Sequence, residues 1–498
     1  MNYLISILLM ISFNVFSKES SSYLLDSKKQ CFGYDQVPVS SIDSSCVGMI
    51  INSNDGLKKP RKVIQLDNGD FYITDMVNWN KGNGILWRFS KGSLKQVFSG
   101  LNLPHGLRKG PNGLVYVGES DKIFRFNPND PNGTKEIVIS NLPSDGKHPL
   151  SEFLITRDQR ILVNLGAPSD QCLNSKGRPV YPCLESDREA ALYEYEISDN
   201  GKVEFTRILA RGLRNSMGIV ELESGEIIQF NNGMDFNDEE GPLEEINLII
   251  EDSHYGWPYC YEKNKLNKAY KRSFFNRSVP KINCEKYELP IGLLPAHSAP
   301  LDALLYQGEM FPELEGSIIV SLHGYRKYGQ RLIHLNLNTQ NLRNEHFTNL
   351  VFDWNARKGL RPKGAPVGLH VGKLGEIYFI DDKNKTLMVL AKGEKSLYEQ
   401  KAEVQLLTNY ALSSFQKVSN EVLSKHCLSC HSEFLGEDKL VIDRLVESGL
   451  VEPGKPLESD LYLRAIGKSS NMAMPPARPD ALSDRDKELI RQWILEIK

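Results

Sequence analysis

The sequence has no excess of basic charge. Its 60 lysine and arginine residues are outnumbered by 63 aspartate and glutamate residues, and the formal net charge is −3. A protein that binds nucleic acid needs a basic surplus to neutralise phosphates, so we expect no nucleic-acid partner. At 498 residues the chain is long for a single core, which predicts two or three domains.

Long apolar runs are missing after the first 17 residues. The segment MNYLISILLMISFNVFS (1–17) is short for a membrane span, and polar residues follow it at once. We therefore predict a cleavable signal peptide over residues 1–17, export to the periplasm and no stable membrane span. Because no lysine or arginine precedes the run, an uncleaved membrane anchor is the alternative.

Cysteine is scarce, with eight residues in the chain. Setting aside Cys427 and Cys430 leaves six, and sequence neighbours among them pair as Cys31–Cys46, Cys172–Cys183 and Cys260–Cys284. An exported chain meets an oxidising compartment, where disulfides that close short loops persist. Six buried thiols are the alternative interpretation.

One pattern recurs between residues 60 and 392: a turn with glycine, asparagine or aspartate, followed by a short run of β-branched or aromatic residues. It occurs as DNGDFYITD (67–75), PNGLVYVGE (111–119), TRDQRILVNLG (156–166), ESGEIIQFNNG (223–233), LEGSIIVSLHG (314–324) and KLGEIYFIDD (373–382). Such repeats are typical of antiparallel strands in propeller blades. We predict a six-bladed all-β propeller over residues 60–392, preceded by an N-terminal extension (18–59). A β-sandwich or a pair of β-domains is the alternative.

The pattern changes after residue 392. Residues 393–410 are predicted to be a linker, and residues 411–498 a small all-α domain, because apolar residues there recur at helical spacing. Ser483 is predicted to cap the last helix, whose apolar stripe consists of Leu489, Ile490, Trp493, Ile494 and Ile497. A helical domain of this size is short of core and often needs a cofactor.

The sequence Cys427-Leu428-Ser429-Cys430-His431 matches the C-x-x-C-H motif of covalent haem c attachment. Thiols at this spacing reach the two haem vinyl groups, and the adjacent imidazole of His431 binds the iron. A redox dithiol and half of a zinc site are the rival interpretations, but no second C-x-x-C exists to complete a zinc tetrad. The segment from PGKPLESDLYLRAI through MAMPP to LSDRDKELIRQWI (453–494) resembles the class I cytochrome c domain. That resemblance implies Met474 as the second iron ligand, with Met472 as a packing residue.

Several stretches of the propeller region resemble the soluble quinoprotein sugar dehydrogenases, the glucose/sorbosone dehydrogenase family that binds pyrroloquinoline quinone (PQQ). The resemblance spans about residues 60–392. It is carried by segments 102–126, 146–172, 212–219, 231–261, 295–308 and 321–329. The run G-W-P-Y-C after E-I-N-L, within NNGMDFNDEEGPLEEINLIIEDSHYGWPYCY, is the most specific of these, because a generic propeller has no need of it.

The resemblance implies roles for individual residues. It implies His148 as the catalytic base, which suits a neutral imidazole that removes a hydroxyl proton while a hydride leaves carbon. It implies Arg214 and Asn215 as PQQ ligands, since the carboxylates of PQQ favour charge-assisted hydrogen bonds. It also implies a calcium ion, held by hard oxygen atoms around Gly233, Met234 and Asp235.

Two positions depart from the family pattern. In SLHGYRKYG (321–329), the family's basic residue corresponds either to His323 or to Arg326. In LRPKGAPVGL (360–369), Ala365 occupies the position of the family's arginine, which leaves Arg361 or Lys363 to contact PQQ.

Together these features predict a periplasmic quinoprotein that oxidises an aldose sugar or a related aldehyde with PQQ and calcium. Electrons are expected to pass singly to the covalently bound haem c, and then to an external cytochrome or quinone-linked chain. Two alternatives stay open: a non-enzymatic propeller that docks partners for an electron-transfer cytochrome, and a calcium-dependent lactonase-type hydrolase. The hydrolase interpretation leaves the haem motif without a role.

Overall fold

The computed structural model describes residues 22–23, 25–274, 277–337, 347–354, 364–393, 414–427, 438–469 and 482–497. The chain divides into two compact units, Met1–Glu394 and Lys395–Lys498. No helix within these described ranges has the length and apolar character needed to cross a membrane. The predicted signal peptide and residues 394–410 of the predicted linker lie outside the described residues.

The first unit consists mainly of strands. Four lie before the first complete blade: β1 (Asp26–Cys31), β2 (Tyr34–Gln36), β3 (Ser40–Ser41) and β4 (Cys46–Ile51). Blade 1 contains β5 (Pro60–Gln65), β6 (Phe71–Asp75), β7 (Gly84–Ser90) and β8 (Ser93–Leu101). Blade 2 contains β9 (Leu107–Lys109), β10 (Val115–Gly118), β11 (Ile123–Phe126) and β12 (Glu136–Ile139). Blade 3 contains β13 (Ser151–Ile155), β14 (Arg160–Leu165), β15 (Ala191–Ile197) and β16 (Val203–Arg211).

The second half of the ring follows the same plan. Blade 4 contains β17 (Ser216–Glu221), β18 (Ile227–Asn231) and β19 (Glu244–Leu248). An insertion then carries β20 (Ser253–His254), β21 (Cys260–Tyr261) and β22 (Lys265–Leu266) before β23 (Gly292–Leu294) completes that blade. Blade 5 contains β24 (Pro300–Leu305), β25 (Ile318–Leu322), β26 (Arg331–Leu335) and β27 (Phe347–Phe352). Blade 6 contains β28 (Pro366–Val371), β29 (Ile377–Asp381) and β30 (Thr386–Ala391).

Helical segments in the first unit are short. They are α1 (Pro131–Thr134) and single 3₁₀ turns at Pro111–Gly113, Leu184–Asp187, Lys268–Tyr270, Cys284–Lys286 and Pro312–Leu314. The three predicted disulfides, Cys31–Cys46, Cys172–Cys183 and Cys260–Cys284, are confirmed. The last two close loops within or beside the insertions that follow β14 and β19.

The six-bladed propeller is confirmed, and each sequence repeat is one turn plus the second strand of one blade. The repeats correspond in order to β6, β10, β14, β18, β25 and β29. Each preceding turn contains a residue of positive φ, for example Gly69 at +86° and Gly375 at +85°. Because the chain reverses tightly at each turn, residues that tolerate a left-handed backbone recur at this point in every blade.

The ring is closed by strands from the beginning of the chain. β4 pairs antiparallel with β30 and supplies the fourth strand of blade 6, while β3 pairs with β27 at the edge of blade 5. Residues 26–51, which the sequence analysis placed in an N-terminal extension, are thus part of the sheet structure. Pairing of this kind removes two exposed sheet edges where the ends of the ring meet.

The first strand of each blade lies innermost, around the propeller axis, and all six inner strands run in the same direction. The turns of the repeats therefore lie on one face of the propeller. Loops that enter the inner strands, and loops between second and third strands, lie on the other face. Because this other face carries His148, in the loop that enters β13, we call it the His148 face.

The blades adhere through apolar side chains. Between blades 1 and 2, for example, the ring centroids of Phe98 and Phe126 lie 5.2 Å apart, edge to face, and Tyr72 contacts Phe126 at 5.5 Å. Full burial of one such side chain stabilises the fold by about 1.5–3 kcal/mol. Equivalent apolar clusters lie between blades 2 and 3, blades 3 and 4, and blades 4 and 5.

The second unit is helical. Helical residues 414–418 continue through a π-helical turn (Ser419–Leu423) into α2 (Ser424–His426), and α3 (Asp438–Glu447), a 3₁₀ turn (Pro456–Glu458), α4 (Asp460–Ala465) and α5 (Asp484–Glu496) follow. The predicted cap is confirmed, since Ser483 and Asp486 form a capping box. The apolar stripe is confirmed as well, with Trp493 fully buried against Phe415 at 4.9 Å between ring centroids. Cys427 directly follows α2, whereas Cys430, His431 and Met474 lie outside the described residues.

Candidate active site

An apolar cluster lies at the axis on the His148 face. Met76, Leu103, Leu150 and Met217 are buried there, with Leu301 packed against them. These side chains come from five different blades. Four lie at or just before the start of an inner strand, and Met76 directly follows β6. The cluster forms the floor of the candidate site, whose polar groups are supplied by the surrounding loops.

His148 is held in one tautomer beside this floor. Its Nδ1 lies 2.6 Å from the carbonyl oxygen of Ala167, and since a carbonyl can only accept, Nδ1 carries the proton. The lone pair is then on Nε2. Burial, together with the nearby charge of Arg214, lowers the pKa of His148 to about 4. The imidazole is therefore neutral near pH 7, as a general base must be.

Gly166 brings His148 close to Asn215. A Cβ atom placed on Gly166 would lie 2.6 Å from Cβ of His148 and 3.1 Å from Oδ1 of Asn215, so a larger residue has no room. Oδ1 of Asn215 is buried and has no hydrogen-bond partner among the described residues. A buried amide oxygen without a partner costs free energy, and a bound ligand that donates a hydrogen bond there would offset that cost.

Arg214 lies next to these two residues and is 3% exposed. Its Nε donates to Oδ1 of Asp170 at 3.0 Å, and its Nη2 lies 3.1 Å from Oδ2 of Asp235. The guanidinium also donates to the carbonyl of Asn232 at 3.2 Å. Arg214 thus joins the two loops that follow β14 and β18, and its charge lowers the pKa of Asp170 against the effect of burial.

The loop with the three proposed calcium ligands is anchored by a buried carboxylate. The amide of Gly233 donates to Oε2 of Glu244 at 2.5 Å, and the amide of Ala299 donates to Oε1 at 3.2 Å. Burial raises the pKa of Glu244 to about 7 despite these two hydrogen bonds. Met234 packs in an aromatic cluster, while the Asp235 carboxylate is paired with Arg214. Oxygen atoms of Glu244 and Asp235 near Gly233 thus already accept from amide and guanidinium donors, with which the predicted calcium ion would have to compete.

A group of three possible His, Cys, Asp or Glu ligands occurs once in the described part of the chain. It consists of Cys172, Cys183 and Glu185, and both cysteines are joined in a disulfide. This group does not offer thiolate ligands to a metal.

The other side of the site is strongly basic. Nη1 of Arg61 lies 2.6 Å from Asp382, whose other carboxylate oxygen lies 2.9 Å from Nε2 of His323. Burial alone would raise the pKa of Asp382, but His323 and Arg61 outweigh it and lower the pKa well below its usual range. Nε of Arg61 also donates to Nδ1 of His105 at 3.1 Å.

Two lysines extend this basic side toward solvent. Nζ of Lys59 lies 5.3 Å from the ring centroid of Trp79, and Nζ of Lys383 lies 5.1 Å from that of Tyr325. Burial, followed by the nearby charge of Lys383, lowers the pKa of Lys59. The carboxylates of a ligand such as the predicted PQQ fit this group of cations, whereas the unpartnered oxygen of Asn215 needs a hydrogen-bond donor, such as an N–H group of the ligand.

Of the basic residues predicted to contact PQQ on this side, the structure places only some within the site. His323 contacts Asp382 within the site, whereas Arg326 is partly exposed and pairs with Glu239 at 3.2 Å. Lys363 and Arg361 lie outside the described residues. Ala365 is buried, and its carbonyl accepts a hydrogen bond from the amide of Asp382 at 3.3 Å.

Sequence reasoning missed Arg61 and Lys59. Because Arg61 and Ala365 both contact Asp382, a guanidinium from blade 1 lies beside the position where the family arginine was expected. The signal was present in KKPRK (58–62), which places four cations among five residues at the start of a strand. Such a run usually indicates solvated surface, but the inner strand of a propeller turns alternate residues toward the axis.

Comparison with known proteins agrees with this fold. The sequence model of the TrAA12-like family matches residues 49–393. An uncharacterised protein of Borreliella burgdorferi is 25% identical over 353 residues, which cover 66% of this chain and 85% of that protein. The iodide structure of the Trichoderma reesei carbohydrate-active enzyme of family AA12 has a TM-score of 0.56 and 17% identity, over 71% of this chain and 98% of its own. The holo PQQ domain of pyranose dehydrogenase from Coprinopsis cinerea has a TM-score of 0.55 and 18% identity, over 72% and 99%. The chain therefore belongs to the TrAA12-like family.

Proposed function

We propose that the propeller is an oxidoreductase that oxidises an aldose sugar or a related aldehyde with PQQ as its cofactor. The observation that carries this proposal is the neutral imidazole of His148, held by Ala167 next to the unpartnered oxygen of Asn215. Membership of the TrAA12-like family supports it, as does the fold shared with a PQQ domain of a pyranose dehydrogenase.

His148 performs the proton transfer in this proposal. Nε2 takes the proton of the substrate hydroxyl, and the Nδ1–H bond to Ala167 stabilises the imidazolium that results. PQQ, when bound, would accept the hydride that leaves the carbon atom bearing this hydroxyl group. The apolar floor around Leu150 excludes water from beneath the reacting groups and strengthens the electrostatic interactions there.

Different groups of the site are proposed to bind the cofactor and the cation: basic side chains bind PQQ, and oxygen atoms bind calcium. Arg61 and Lys59 would supply donors and positive charge for the PQQ carboxylates, and Arg214 would orient the loop next to them. Oδ1 of Asn215 would accept a hydrogen bond from an N–H group of PQQ. Oxygen atoms of Gly233, Met234 and Asp235 are proposed to bind calcium.

The C-terminal unit is proposed to carry haem c and to receive the electrons one at a time. Cys427 and Cys430 would attach the haem, and His431 and Met474 would bind its iron. An external acceptor, a cytochrome or a quinone-linked chain, would then reoxidise it. Fusion to the propeller would raise the effective concentration of the haem to about millimolar, as a tether of moderate length does. Attachment of haem c is compatible with the proposed export to the periplasm.

The test is haem reduction in the full-length protein. PQQ and calcium are added to haem-loaded protein, and the α-band of reduced haem is recorded after addition of each member of a panel of aldoses and aldehydes. Reduction that requires sugar, PQQ and calcium together supports the proposal. An oxidised haem spectrum with the whole panel would overturn it.

Two controls separate the parts of the proposal. A His148→Gln variant should bind PQQ but reduce haem far more slowly, which assigns the reaction to the propeller. A soluble dye as acceptor should report sugar oxidation even in a Cys427→Ser/Cys430→Ser variant. If the dye is reduced but haem is not, sugar oxidation stands and the electron route through haem fails.

A further inference from the structure

A cavity of the first unit lies on the face opposite His148. It opens around the propeller axis, has a volume of about 390 Å³ and falls in the size range of small-molecule sites. All six inner strands contribute to its wall, which combines apolar and basic side chains, including Ile64, Leu107, Arg108, Ile219, Leu305 and His370. Nothing in the proposed oxidation uses this cavity.

A buried ionic cluster closes the inner end of the cavity. Nζ of Lys62 lies 2.8 Å from Glu152 and 2.5 Å from Asp302, and Nη2 of Arg108 lies 2.7 Å from Glu152. His105 joins the cluster from the other side, with Nε2 3.1 Å from Glu152. The side chains of Lys62, Glu152 and Asp302 are at most 2% exposed, so they separate the cavity from the His148 face.

Some of the charged side chains that line the cavity are neutralised by a close ion pair, and others are not. Arg157 forms an ion pair with Glu221 at 3.4 Å, and Asp302 forms one with Lys62 at 2.5 Å. Among the described residues, the carboxylate within ion-pair distance of Lys109 is that of Asp67, at 3.6 Å, and because Asp67 is exposed this pair is screened and weak. Nη1 of Arg108 donates to the carbonyl of Leu107 and Nη2 to Glu152, so Lys109 carries the less compensated of these two positive charges.

His370 lies beside these cations in the cavity wall. Burial, followed by the charges of Lys109 and Arg108, lowers its pKa to about 3 against the opposing effect of a hydrogen bond with the backbone of Gln65. An imidazole in this position stays neutral and can donate or accept a hydrogen bond, while the neighbouring cations attract an anion.

We propose that this axial cavity binds a small hydroxylated carboxylate, with Arg108 and Lys109 engaging the carboxylate group and the polar side chains of His370 and Gln307 available to its hydroxyl groups. A sugar acid is a ligand of this class. Its source can be the product of the proposed oxidation or the surrounding medium, and binding itself requires neither PQQ nor turnover.

The test uses isothermal titration of full-length protein prepared without PQQ. Gluconate should bind, whereas sorbitol, which has the same carbon chain without the carboxylate, should not. Lys109→Glu should weaken gluconate binding about tenfold or more, since it replaces an attraction by a repulsion. Lys95→Glu, an equal charge reversal on the outer strand β8, should leave it unchanged.

A second variant is expected to increase the affinity for gluconate, in contrast to Lys109→Glu. Glu221→Gln keeps a hydrogen-bond acceptor for Arg157 but removes the charge that neutralises it, so gluconate should bind roughly two- to fivefold more tightly. Equal binding of sorbitol and gluconate, or unchanged binding in both the Lys109 and Glu221 variants, would overturn the proposal. Loss of binding in His148→Gln alone would place the carboxylate on the catalytic face and would overturn it too.

Discussion

The proposed role of His148 makes a pH prediction that differs strongly from that of an ordinary histidine. Its pKa of about 4 means that the base is protonated, and inactive, only in fairly acidic solution. At pH 5 such a base is about 90% neutral, whereas an imidazole with the usual pKa of about 6.5 is about 3% neutral. The two cases differ by roughly 30-fold in the concentration of active enzyme.

The assay is kcat/KM for sugar-dependent dye reduction by PQQ-loaded protein between pH 4 and pH 8. Since kcat/KM reports the pKa of the free enzyme, it should stay near its plateau at pH 5 and fall only as pH approaches 4. His148→Gln should lower the plateau by about 10²–10⁴-fold, the usual contribution of a general base. Circular dichroism at each pH checks that the fold persists.

Two results would refute this reasoning. A midpoint near pH 6.5 would mean that His148 is solvated rather than buried against Ala167 and Arg214. A His148→Gln variant within tenfold of the unmodified protein would mean that another group takes the proton.

Three further predictions concern stability, cofactor affinity and haem attachment. Lys62→Met removes a cation bound to Glu152 at 2.8 Å and to Asp302 at 2.5 Å, and should destabilise the fold by about 3–5 kcal/mol in urea unfolding. Adding Asp302→Leu should recover part of that loss, and a double variant less stable than the single one would contradict the argument. Asn215→Leu should weaken PQQ affinity by about tenfold in a titration, because one buried hydrogen bond is lost; an unchanged affinity would remove Asn215 from the site. Cys427→Ser/Cys430→Ser should leave no haem attached after denaturing electrophoresis, and a haem-stained band in that variant would disprove covalent attachment through these thiols.

Short-range features could be read directly from the sequence. The turns and second strands of all six blades follow from local residue preference, because a glycine or asparagine at positive φ followed by β-branched residues needs no distant partner. The cap at Ser483 and the buried face of α5 follow in the same way from helical periodicity. The disulfides could be paired because their cysteines are neighbours in the chain.

Features that depend on distant parts of the chain could not be read in this way. β4 completes blade 6 by pairing with β30, a partner more than three hundred residues away. The local sequence of β4 does not indicate this partner. Likewise Arg214 and Asp235 were assigned to different ligands, although in the structure they bind each other.

The sequence by itself determined the number of blades, the helices in the described parts of residues 411–498, the three disulfides and the C-x-x-C-H motif. All of these rest on spacing within one or two secondary-structure elements. The tertiary structure alone decided that Arg61 and Lys62, adjacent cations in one strand, face different surroundings at the axis. Arg61 meets Asp382 and His105 in the site, and Lys62 is buried between Glu152 and Asp302. The reason is geometric: a propeller brings the first strands of six distant segments together around one axis, so the partners of a charge there are set by ring closure and not by its neighbours in the chain.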